Sequence, residues 1–67
     1  MAYLKTHTFS KTGTKIELIE TDYKSSRLFI IMLGTPDNQE RAAMFAEFDT
    51  EEMAMFVYDN IVGLDTA

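Results

Sequence analysis

The stretch Arg41-Ala42-Ala43-Met44-Phe45-Ala46-Glu47-Phe48-Asp49-Thr50-Glu51-Glu52-Met53 decides how this chain folds. Its first part is ambiguous. Ala42, Ala43, Met44 and Ala46 favour helix intrinsically, yet Met44, Ala46 and Phe48 alternate with Phe45 and Glu47 as a strand would. The second part resolves it. Asp49 can cap a helix, Glu52 three residues on can complete a capping box, and Phe48 with Met53 can form a hydrophobic staple. Glu51 and Glu52 also suit the positive end of a helix dipole. A helix starting there leaves Arg41 to Phe48 as a separate element, read as a strand. The helix is predicted to end near Val62, with Gly63 in the left-handed position and Leu64 packing back.

Upstream, an apolar/polar alternation runs from Tyr3 to Phe9, and a second fills Lys15-Ile16-Glu17-Leu18-Ile19-Glu20. Ser10-Lys11-Thr12-Gly13 between them carries turn chemistry, with Gly13 able to take positive φ, so the two runs read as a hairpin. Thr21 to Ser26 is polar and turn-like. Leu28-Phe29-Ile30-Ile31-Met32-Leu33 is apolar at both parities, the pattern of a central strand covered on both faces. Gly34-Thr35-Pro36-Asp37-Asn38 ends it. The predicted fold is a single α+β domain, residues 1–67, with a four-stranded antiparallel sheet followed by one C-terminal helix.

With 67 residues, a chain buries only about 60% of the surface its unfolded form exposes. Small domains commonly compensate with disulfides, a metal or a second chain. There is no cysteine, which removes disulfides and thiolate metal sites. Lys5, Lys11 and Lys15 interrupt any signal-peptide pattern, and the run Leu28 to Leu33 is too short to span a bilayer. These features predict a soluble, cytoplasmic protein with no membrane association. Five Phe, three Tyr and five Met within a 46% hydrophobic composition exclude a disordered tail.

The net charge of −5 is unevenly spread. Residues 1–34 hold five basic and three acidic side chains, whereas residues 35–67 hold one basic and eight acidic. Such a balance opposes binding to nucleic acid or anionic membranes. Chemistry-bearing residues are few. The single histidine, His7, lies in an alternating strand and reads as a surface or edge-strand residue. Ser10, Ser25 and Ser26 sit in turns, and capping accounts for Asp49, Glu51 and Glu52. Neither a cofactor nor a metal is implied, and the chain is not expected to be an enzyme.

Around the helix, at about 100° per residue, Met53, Phe56, Val57, Asn60 and Ile61 share the face expected to pack on the sheet. Ala54, Met55, Tyr58 and Val62 occupy much of the rest. A surface helix needs one apolar stripe, not two. Either the sheet curls round to cover both, or Met55, Tyr58 and Val62, with Glu51 and Glu52 at the helix start, meet another chain; the second reading is preferred. The sheet repeats the hint, because Phe29, Ile31 and Leu33, or else Leu28, Ile30 and Met32, would face water in a monomer. A homodimer and a protein partner are both expected.

The four-strands-then-helix order with the junction Phe48-Asp49-Thr50-Glu51-Glu52 resembles that of small phage-borne proteins, including some anti-CRISPR inhibitors. That resemblance implies a non-enzymatic inhibitor or regulator that binds a host protein, which could be one that processes nucleic acid. The same element order also resembles the dimeric PC4-type single-strand-binding fold. That alternative places nucleic acid on Lys5, Lys15 and Arg27, with stacking on Phe9 or Tyr3.

Overall fold

The computed structural model describes residues 2–34 and 43–65 as β1 (Ala2–Thr8), β2 (Lys15–Tyr23), β3 (Ser26–Gly34), β4 (Ala43–Phe48) and α1 (Glu51–Gly63). The strands form one antiparallel sheet in the order β1-β2-β3-β4, so the α+β layout read from the sequence is the one observed. The expected turn over Thr35 to Asn38, and Arg41 and Ala42 of the expected fourth strand, lie outside the described residues.

Gly13 does take positive φ, at 75°. The Phe9 amide donates to the Thr14 carbonyl and the Gly13 amide to the Phe9 carbonyl, closing the first hairpin. The second hairpin differs from expectation. Most of Thr21 to Ser26 is strand, and Tyr23 pairs with Ser26. The turn shrinks to Lys24-Ser25, both at positive φ (49° and 68°), as a two-residue connection matched to strand twist demands.

Register decides which side chains share a face. Ile16 pairs with Leu33 and Leu18 with Ile31; this row meets the helix. The core is Ile16, Leu18, Phe29 and Ile31 of the sheet with Ala54 and Tyr58 of α1. Between them, Ile19 pairs with Ile30, Thr21 with Leu28 and Glu17 with Met32, and these point to the opposite face. Of the two alternatives in β3, Leu28, Ile30 and Met32 are therefore the row the helix leaves uncovered.

The helix departs from the sequence reading at both ends and in its rotation. Its N-cap is Thr50, not Asp49: Thr50 is extended (φ −129°, ψ 143°) and its hydroxyl accepts from the Met53 amide at 3.3 Å. Asp49 and Thr50 are adjacent and equally able to cap, so local chemistry could not choose between them. Starting one residue later dissolves the capping box and the staple; Phe48 packs against the core while Met53 is 53% exposed. At the other end Gly63 is helical, Leu64 is right-handed (φ −66°, ψ −25°) and Leu64 is 73% exposed. The last turns tighten through Leu64 and Asp65 amides donating to the carbonyls of Ile61 and Val62. This right-handed exit carries Asp65 to the first hairpin.

Rotation is the larger correction. Ala54 and Tyr58 are buried, and Met55, Val57, Ile61 and Val62 pack around them. Met53 and Phe56, expected in the core, face water. Ala54 explains the choice, because a methyl side chain lets the helix backbone approach the fully buried Ile16, Leu18 and Ile31.

Candidate functional site

Once α1 has packed, its outward side still carries an apolar patch. Phe56 is 65% exposed, with Met53 beside it on the first turn. At 100° per residue, Glu52, Asp59 and Asn60 bracket Phe56 on that side, and all three are exposed. Thr50, Glu52, Met53 and Phe56 line a shallow depression at the helix start. The Asn60 side-chain amide donates to the Phe56 carbonyl at 2.7 Å, which keeps that polar group on the outer surface.

Charge around this patch is one-sided. Asp49, Glu51 and Glu52 are all exposed, and among the described residues none has an ion-pair partner. Asp59 is the exception, accepting from Lys5 Nζ at 3.1 Å. That pair is exposed and contributes about 0–1 kcal/mol. The Lys5 ammonium also stands 5.7 Å from the ring centroid of Tyr58. Burial raises the Tyr58 phenol above its ordinary pKa, and the negative charges of Asp59 and Glu17 add to the shift. Tyr58 is thus a neutral core residue.

The far end of the helix holds a polar cluster. His7 Nε2 lies 2.9 Å from Asp65 Oδ2, and the other carboxylate oxygen accepts from the Ser10 amide at 3.1 Å and the Ser10 hydroxyl at 3.0 Å. An ionised carboxylate only accepts, so Nε2 carries the proton. The His7 hydrogen bond holds the Asp65 carboxyl below the usual carboxylate range; partial desolvation opposes this and the two Ser10 bonds reinforce it. Phe9 meets the His7 ring edge-on at 5.4 Å. Serine, histidine and aspartate are all present, but the order is wrong for nucleophilic catalysis. A serine nucleophile needs its hydroxyl on the imidazole, and here aspartate stands in the middle. The cluster clasps the helix end to the hairpin.

Only part of the predicted partner set is presented to solvent. Glu51 and Glu52 stand exposed beside the apolar patch, but Tyr58 is 3% exposed and Met55 and Val62 pack on their own core. Met53 and Phe56 take their place on the surface. Asn60 was the available signal, since an amide within a supposed core stripe marks the side that faces water. The alternative nucleic-acid residues are not gathered either. Lys5 and Arg27 lie on the helix side of the sheet, beside Asp59 and Glu20 respectively, and Phe9 packs against the core. Lys15 shares the open face with Glu17, the parity of β2 placing both there. Among the described residues no group of three His, Asp or Glu side chains could hold a metal ion, and no helix is long and apolar enough to cross a membrane. No family model, curated protein or solved structure matches this chain.

Proposed function

We propose that this chain is a non-enzymatic protein-binding module that inhibits or regulates a larger protein by covering part of its surface. The observation that carries this reading is Phe56, an aromatic side chain left 65% exposed at the centre of a helix that has already buried its other side. Aromatic anchors of this kind supply most of the energy of an interface. The exposed carboxylates of Asp49, Glu51 and Glu52 suit a basic rim on the partner, where such charges mainly set association rate and orientation. The layout's resemblance to small phage-borne inhibitors points the same way and implies a host protein as target. Self-association accompanies this role. Single-strand binding needs cations gathered into one groove; those proposed for it are divided between two faces.

Affinity capture from lysate of the source cell, with wild type beside Phe56→Asp, tests the reading. The expected result is a stoichiometric protein retained by the wild type and lost from the variant, both proteins having the same far-UV circular dichroism. Identical captures from both would sink it. So would tight binding of a mixed-sequence oligonucleotide at physiological salt that Lys15→Glu abolishes.

A further inference from the structure

The molecule is 15 Å across its thinnest dimension, the depth of one sheet and one helix. Among the described residues, no second layer packs on the far side of the sheet. Register places Tyr3, Ile19, Leu28, Ile30, Met32 and Met44 on that side. Ile19 is the telling residue. It is only 6% exposed, yet it lies outside the cluster that packs against the helix. Its neighbours on the open face already shield it, so this face has a dry apolar centre of its own.

We propose that a second copy of this chain covers this face, the two sheets packing front to front about a two-fold axis parallel to the strands, between β2 and β3. The proposal deepens the self-association in the reading above by naming the surface, and it does not depend on what binds the helix.

The pairing pattern makes the face self-complementary under that axis. Ile19 and Ile30 are cross-strand partners in the middle of the sheet, so the rotation sets Ile19 over the second copy's Ile30. Thr21 falls over Leu28. Tyr3 pairs with Ile19 and Glu47 with Ile30 on the two outer strands, so each Tyr3 comes over the second copy's Glu47, where its hydroxyl can donate to the carboxylate. Glu17 falls over Met32. No carboxylate meets its own image.

Charge separates this surface from the other apolar one. A chain with net charge −5 can associate with itself only where its carboxylates are kept apart. Joining two outer helix faces would set Glu51, Glu52 and Asp59 against their copies. Joining the open sheet faces leaves those groups on opposite outer sides of the dimer. Size fits a modest affinity. Four strands about 4.8 Å apart and about seven residues long present roughly 500 Å² per copy, and about 1,000 Å² in total is the threshold of a specific interface. Aligned sheet packing closes such a face with a spacing of about 10 Å.

Sedimentation velocity from low micromolar to near-millimolar concentration tests the proposal. Wild type is expected to rise from 7.7 kDa toward twice that mass. Ile30→Lys should remain monomeric. Met44→Lys changes a 57% exposed position on the same face, so it keeps the fold, and should weaken the dimer at least tenfold. Phe56→Ser should leave the dimer intact. Because the chain has no cysteine, an equal mixture of Tyr3→Cys and Glu47→Cys chains should cross-link with a short bis-maleimide, while neither alone does. Three results would overturn the proposal: a 7.7 kDa species at every concentration, a dimer lost with Phe56→Ser but kept with Met44→Lys, or Glu47→Cys cross-linking to itself through paired β4 edges. Each leaves the capture experiment with Phe56→Asp to be decided separately.

Discussion

The two ends of α1 are held in different ways. The C-terminal end is clasped: Asp65 takes hydrogen bonds from His7 and from both the amide and hydroxyl of Ser10, and nearly two turns earlier Asp59 reaches Lys5. The N-terminal end rests on one hydroxyl cap from Thr50. Its acidic side chains face water, and Met53 and Phe56 lie exposed beside them. At the first end polar groups are spent on the fold. At the second they are left available, next to apolar surface that the fold does not need.

If that division is right, truncating the inward and outward aromatics of the helix should have very different results. Tyr58→Ala should cost about 3–5 kcal/mol, as for other large core aromatics. A chain this long has only about 3–10 kcal/mol of stability in total, so the variant should lose a third or more of it and its urea midpoint should fall steeply. Phe56→Ala should stay within about 0.5 kcal/mol of wild type, like other surface changes. Urea titration followed by circular dichroism measures both. Comparable losses at the two positions would mean that the helix is rotated from its described position.

Much of this was legible in the sequence. The double-parity apolar run of β3 announced a central strand, and cap chemistry around Asp49 and Thr50 separated β4 from α1. Helix rotation was harder to read because Met53, Phe56 and Ile61 are as apolar as Met55, Tyr58 and Val62. Periodicity finds stripes but does not say which one the sheet takes. The small size of Ala54 and the amide of Asn60 carried that information, and both are weak signals beside large apolar side chains. The clasp could not be read at all. His7 and Asp65 are 58 positions apart, and no local pattern joins them until the sheet and helix have formed. For the same reason nothing local marks Asp65, one residue past Leu64, as a carboxylate that the fold uses.

Asp65→Asn and Thr50→Ala compare the two ends directly. Asp65 has a lowered pKa in the folded chain. Its contribution is therefore complete above the ordinary carboxylate pKa of about 4, and disappears as pH falls through the lower folded value. The stability gap between wild type and Asp65→Asn should be widest at neutral pH and close in acid. Thr50→Ala should cost about 1 kcal/mol, the usual loss of an N-cap, with no such narrowing because the hydroxyl does not titrate. Asp49→Ala should do less than Thr50→Ala. Urea midpoints at neutral and acid pH would show it, and a gap for Asp65→Asn that stays constant into acid would break the clasp.

The smallest expected effect has an informative sign. Sequence patterning puts Gly63 in the left-handed conformation that ends many helices, where alanine would be strained by about 1–2 kcal/mol. In the structure Gly63 is helical, and a methyl group added there would meet nothing within 4 Å. Alanine should then favour the folded chain, through higher helix propensity and a less flexible unfolded state. Fraying at a last turn reduces the gain, so Gly63→Ala is expected to stabilise by about 0.5–1 kcal/mol. For a domain of this size that raises Tm by a few degrees. The change reports on the clasp, because the right-handed path through Gly63 and Leu64 is what brings Asp65 to Ser10. A lowered Tm would mean that the chain turns left at Gly63 and that Asp65 does not reach the hairpin. A raised Tm that vanishes in the Asp65→Asn background would show the two features to be one device.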